Sequence, residues 1–149
     1  MYISTRNLFT IPFSCDIIKE IKSSKEEDMI FNGISRVFSL KNEEQYDTIG
    51  AFWDELETIY GLENLVGLGY RWAHGQIHYA IGLKDGIIEG ANFTAELPDN
   101  GWTVKHGLTD ELPIIYNEIY KDGALSIELE YFSNDGRCEI RYRRDFSIK

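Results

Sequence analysis

The chain has no cysteine pattern suited to metal binding. Its two cysteines, Cys15 and Cys138, stand far apart, with no Cys-x-x-Cys pair and no Cys/His cluster. No metal is expected, and reduced thiols are the ordinary state. Long apolar runs are missing too: nothing approaches the roughly 20 residues that span a bilayer. The opening Met1-Tyr2-Ile3-Ser4-Thr5-Arg6 has no basic stretch leading into an apolar one, so the expectation is a soluble, cytoplasmic protein. Positive charge is scarce: 15 Lys and Arg against 25 Asp and Glu leave a net charge of −10. That balance argues against gripping DNA or RNA through phosphates and against docking on anionic membranes, and it is compatible with a cationic partner. No serine or cysteine stands in a recognisable nucleophile context. His74, His78 and His106 are scattered over a turn, a strand and a loop approach, so no triad is expected and no catalytic residue is assigned. Arg137, Arg141, Arg143 and Arg144 form the only basic cluster, read here as balancing acids on neighbouring strands.

Aromatic residues are plentiful. Nine Tyr, eight Phe and three Trp in 149 residues are enough to build a core and to line a pocket as well. The most informative stretch is Leu125 to Phe132. Its period-two alternation puts Ile127, Leu129 and Tyr131 on one face of a strand and Glu128, Glu130 and Phe132 on the other. Two carboxylates beside an aromatic suit a site that receives a cation; the alternative is a solvated strand face.

Residues 1–28 are read as an N-terminal extension, with a short amphipathic helix over Asp16 to Lys25, and residues 29–149 as one domain. Within that domain Ile30 to Leu40 alternates as a strand. Asn42 offers an N-cap with Gln45 three residues on. Tyr46, Ile49, Trp53, Leu56 and Tyr60 then make one helical stripe that Gly61 stops. Leu65 to Trp72 and Gln76 to Lys84 read as a hairpin, and Ile88 to Leu97 as a further strand. The order then repeats. Trp102 to His106 is a short strand, and Thr109 or Asp110 caps a helix carrying Leu112, Ile115, Tyr116, Ile119 and Tyr120. Leu125 to Phe132 and Arg137 to Ile148 form a second hairpin, broken near Arg143-Arg144. Two units of strand, helix and hairpin predict an α+β fold: two βαββ units side by side, an antiparallel sheet, both helices on one face, and a cleft between the halves.

This pattern resembles the GyrI-like effector-binding domains, which occur alone or fused to DNA-binding domains in AraC-type and MerR-type transcription regulators. The residues that carry the resemblance are Gly33-Ile34-Ser35, Ile49-Gly50-Ala51-Phe52-Trp53 and Tyr79 to Gly82. To these are added Leu97-Pro98 followed by Trp102, the Ile115…Ile119-Tyr120 helix, Glu130 with Phe132, and the ending Glu139-Ile140…Ile148-Lys149. It covers residues 30–149. Trp102 stands where the family has Tyr, and Arg143-Arg144 where apolar residues are commoner. The resemblance implies a stand-alone domain, without cofactor, whose cleft takes a bulky, flat, cationic small molecule for sensing or sequestration. Glu130 would supply the charge, or Glu128 if the register slips by two. Trp53, Tyr70, Trp72, Tyr79, Trp102, Tyr116, Tyr120 and Phe132 would supply the walls. Tyr70 and Trp72 are expected to share a strand face. Two other functions stay open: hydrolysis of an electrophilic small molecule by the same residues, with a cleft glutamate as general base, and inhibition of a protein partner through the acidic surface.

Overall fold

The computed structural model describes residues 29–148; the expected extension 1–28, with its short helix and Cys15, lies outside the described residues. Seven strands and two α-helices follow in the order β1 (Met29–Ser39), α1 (Gln45–Tyr60), β2 (Leu65–Ala73), β3 (Gln76–Leu83), β4 (Phe93–Leu97), β5 (Thr103–Leu108), α2 (Leu112–Tyr120), β6 (Ile127–Phe132) and β7 (Arg137–Arg143). All pairings are antiparallel, and the sheet order is β4-β1-β3-β2-β6-β7-β5. Leaving out the edge strand β4, the order reads β1-β3-β2 from one half and β6-β7-β5 from the other. The halves are mirrored about the β2–β6 seam, as two side-by-side βαββ units require.

At that seam Leu68 pairs with Leu129, Gly67 with Glu130 and Gly69 with Glu128. A local twofold through the Leu68–Leu129 pair puts Gly67 at the position equivalent to Glu128, and Gly69 at that of Glu130. One half supplies two acids and the other two glycines: Gly69 leaves room for the Glu128 side chain, and Gly67 for Tyr79 and Trp53.

Each face of the sheet has its own core. On the helix side, Phe52, Trp53 and Leu56 of α1 bury against Tyr79, Ile81 and Phe132, and Tyr116 and Ile119 of α2 against Ile140 and Tyr142. On the other side Val66, Leu68, Ile127 and Leu129 meet Phe31, Ala95 and Leu97. The alternation read in β6 is therefore the observed one, with Ile127, Leu129 and Tyr131 on the face opposite α1 and α2 and Phe132 among the residues under α1.

Four local features depart from the sequence reading. The capping box does not form: Asn42 takes a left-handed conformation (φ 55) inside a tight turn, and α1 starts at Gln45 without a side-chain cap. α2 likewise follows a 3-10 turn, Thr109–Glu111, with no side-chain cap and with Pro113 in its first turn. The strand expected from Ile88 begins only at Phe93. Gly90 (φ 85) turns the chain, Ile88 plugs the core, and the Asn92 side chain accepts a hydrogen bond from the Ser35 backbone N–H at 2.7 Å. Finally, β2 carries a bulge, since Gly69 pairs with Tyr79 but Arg71 pairs with His78. The extra residue inverts the alternation, so Tyr70 and Trp72 point to opposite faces.

Candidate functional site

Glu128 and Glu130 are buried, at 3% and 6% exposure, in the middle of the sheet beneath the helices. Unpaired acids are expensive in such a place, and here they are held by phenols instead of by basic groups. Trp53 of α1 donates its indole N–H to the Tyr79 hydroxyl at 2.7 Å, and Tyr79 donates in turn to Glu130 Oε1. From α2, the Tyr116 hydroxyl lies 2.5 Å from Glu130 Oε2 and 2.7 Å from Glu128 Oε2. Glu128 Oε1 is buried with no hydrogen-bond partner.

Packing fixes these donors. Trp53 stands edge-on to Phe132, with ring centroids 4.8 Å apart at 90°. Tyr116 stacks on Tyr120 at 5.8 Å. Gly67 and Gly69 admit the whole arrangement. A Cβ at Gly67 would sit 2.1 Å from the Tyr79 hydroxyl oxygen, and one at Gly69 would sit 2.9 Å from Glu128 Cγ.

Above the acids lies a cavity of about 540 Å³, bounded by α1, α2 and the β2–β6 seam. Trp53, Trp72, Tyr79, Tyr116, Tyr120 and Phe132 line it with the two glutamates, so eight of the ten residues singled out from the sequence meet there. Its lining includes five carboxyl residues, Asp54, Glu57, Asp110, Glu128 and Glu130, and, among the described residues, no Lys, Arg or His. A volume of this size suits a small organic molecule.

The other two residues, Tyr70 and Trp102, lie on the face opposite α1 and α2. Tyr70 stacks on Phe93 at 4.3 Å and its hydroxyl is 2.6 Å from Ser35 Oγ, because the bulge in β2 turns it away from Trp72. Trp102 packs into the core on that same face and donates to the Pro98 carbonyl at 2.8 Å. The motif position after Leu97-Pro98 thus braces its own turn. The arginines are also accounted for. Arg137, Arg141 and Arg143 pair with Asp135, Glu139 and Asp145, while Arg144 donates to the Ile119 carbonyl and lies over the Tyr142 ring.

The sequence reading gave no site role to Tyr46, Gln45, Gly67 or Gly69. Tyr46 and Gln45 start α1 and line the cavity, but in the sequence Tyr46 was only the first member of an apolar stripe. The one available signal for the glycines was their period-two spacing in β2, facing the equivalent pair of acids.

Burial sets the electrostatics. Desolvation raises the Glu128 carboxyl well above the ordinary glutamate range, and Glu130 nearby pushes it further. Glu130 is also raised by burial, opposed by the hydrogen bonds from Tyr116 and Tyr79. Burial and the two acids raise the Tyr79 and Tyr116 phenols well above their usual value, and Tyr46 is pushed up to about 12 by burial and by Glu43, Glu128 and Glu130. Tyr120 is raised by burial and Glu128. The Trp72 indole N–H acts against that shift from close by, without reaching hydrogen-bond geometry.

The sign of the pH effect on folding follows. A carboxyl with a raised folded pKa binds its proton more tightly in the native state. Its contribution to stability is full below the unfolded value, 4.5, and is lost as pH rises through the interval up to the folded value. Glu128→Gln should abolish much of that loss. Thermal melts are expected to show the variant level with wild type near pH 4.5 and about 5 °C more stable near pH 8. Equal melting temperatures at both pH values would contradict the burial argument.

Comparison with known protein families gives no match, and neither does comparison with curated proteins. Among solved structures, that of SAV2435 bound to tetraphenylphosphonium is similar to this chain, with a TM-score of 0.53 at 13% identity, covering 83% of this chain and 94% of that one. What the two share is the fold. No described helix is long and apolar enough to cross a membrane.

Proposed function

We propose that the chain is a binding domain of the GyrI-like kind for a bulky, aromatic, cationic small molecule, acting in sensing or sequestration. The observation that carries this reading is a buried carboxylate pair at the floor of an aromatic cavity whose lining, among the described residues, has no basic side chain. An excess of buried negative charge without a cationic partner is a standing cost. A bound cation relieves it, while each ring face it meets adds about 0.5–2 kcal/mol. Flat walls reward planar or multi-ring ligands and impose few hydrogen-bond demands, so broad selectivity follows. The fold shared with SAV2435, whose structure holds tetraphenylphosphonium, supports the same ligand class.

Tryptophan fluorescence tests the proposal directly, because Trp53 and Trp72 line the cavity and Trp102 does not. Titration with tetraphenylphosphonium should quench emission at micromolar concentration. Trp102→Phe and Tyr70→Phe should leave the midpoint within about threefold, since both residues lie across the sheet, and Trp72→Phe should remove much of the quench. A midpoint shifted more by Trp102→Phe than by Trp72→Phe would place the ligand on the wrong face.

A further inference from the structure

The hydrogen bonds at the cavity floor can be counted proton by proton. Glu130 Oε1 takes the Tyr79 proton, since the Tyr79 oxygen is itself occupied by the Trp53 N–H. The Tyr116 hydroxyl has a single proton, yet it lies within hydrogen-bond distance of two carboxylate oxygens, Glu130 Oε2 and Glu128 Oε2. One of those contacts needs a proton from the carboxyl side. Glu130 already has Tyr79 as a second donor, whereas Glu128 has none and leaves Oε1 unpartnered. An unpartnered carbonyl oxygen of a neutral acid is far cheaper in a buried site than an unpartnered carboxylate oxygen.

We propose that the ligand-free protein holds one proton on the Glu128–Glu130 pair, carried by Glu128 and donated to the Tyr116 oxygen. The floor then bears one negative charge, and the site distinguishes cations by their valence. The inference rests on the binding function proposed above and specifies the ligand's charge. A monocation neutralises Glu130 and leaves the proton in place. A dication draws the second carboxylate into play, and the Glu128 proton leaves to solvent: site-H plus dication gives site–dication plus one H⁺. The affinity of a dication therefore rises with pH while that of a monocation stays flat.

The groups that face Glu128 agree with a retained proton. Glu130 lies beside it on β6; Tyr116 and Tyr120 face it from α2; Tyr46 from the start of α1; Tyr79 from β3; and its partner across the seam to β7 is Tyr142. Asp54, Glu57 and Asp110 share the cavity wall, and Glu43 adds its charge at Tyr46. All are acids or phenols, and among the described residues no cation lines the cavity to compensate a second negative charge.

Two measurements decide the matter. The infrared spectrum of the ligand-free protein at neutral pH should contain a protonated-carboxyl C=O band that disappears in Glu128→Gln. If wild type has no such band, or if Glu128→Gln keeps it, the assignment is overturned whether or not any ligand binds. Calorimetric titrations in two buffers of different ionisation enthalpy then count protons. Tetraphenylphosphonium should release about none, and the flat dication dibenzyl-4,4′-bipyridinium about one, with its affinity rising close to tenfold per pH unit. In Glu128→Gln the dication should lose both the proton release and the pH slope. Proton release with the monocation, or none with the dication, overturns the inference and leaves the binding function standing. Failure of both cations to bind, with the infrared band present, overturns the binding function and the valence rule and leaves only the proton assignment.

Discussion

Replacing both floor acids by their amides, Glu128→Gln with Glu130→Gln, should weaken tetraphenylphosphonium binding by about a hundredfold, roughly 3 kcal/mol. The shape of the cavity is unchanged by these substitutions, so what is lost is the charge. The single Glu130→Gln variant should lose less than the double, because the proton on Glu128 can leave and let that side chain carry the charge in its neighbour's place. Residual affinity in the double variant reports the contribution of the rings alone. The same variant should fold more stably than wild type at neutral pH, since two buried acids are no longer kept from water. A gain in stability together with a loss in affinity is the signature of a site maintained for a ligand. If affinity survives intact in the double variant, the acids are structural.

The second large effect is expected from a methyl group. Gly67→Ala places a Cβ 2.1 Å from the Tyr79 hydroxyl oxygen and 2.7 Å from Trp53 Cζ2. Tyr79 is only 1% exposed and its hydroxyl is tied to both Trp53 and Glu130, so either the β2 backbone shifts or the Trp53–Tyr79–Glu130 relay breaks. Overpacking of this kind costs about 1–3 kcal/mol, and binding should fall with it because Tyr79 no longer holds Glu130. Gly69→Ala makes a useful contrast. Its Cβ meets the Glu128 side chain (Cγ at 2.9 Å), and shortening that side chain relieves the clash. Gly69→Ala combined with Glu128→Ala should therefore be more stable than the sum of the two single effects predicts, whereas Gly67→Ala should gain nothing from Glu128→Ala. Additivity in the Gly69–Glu128 pair would remove the argument that Gly69 exists to admit Glu128.

These two results bear on how much of the protein could be read from its residues. The period-two pattern of β6 is legible because five of its six residues are buried and its two faces have different chemistry, acids with Phe132 on one and Ile127, Leu129 and Tyr131 on the other. The order strand, helix, hairpin repeated twice was enough to anticipate the mirrored sheet and the cavity at its seam. Tyr70 and Trp72 were misassigned to one face because a bulge is a property of the pairing between two strands, visible only when β2 and β3 are aligned. The position of Trp102 after Leu97-Pro98 points to the cleft only through the resemblance, and its indole instead satisfies a turn carbonyl four residues back. The N-caps failed for a related reason: each α-helix is entered through a tight turn that already satisfies the backbone. Tyr46 and the two glycines were missed because a site side chain and a core side chain look alike in sequence, and because a glycine's role here is the space it leaves.

The central claim is that the cavity selects for positive charge. Methyltriphenylphosphonium and triphenylphosphine oxide present the same three rings around phosphorus and differ in charge, so their affinities for the wild-type protein isolate the contribution of the floor acids. The phosphonium should bind at least about 30-fold more tightly than the oxide, roughly 2 kcal/mol. Equal affinities, or a preference for the neutral compound, would contradict the account.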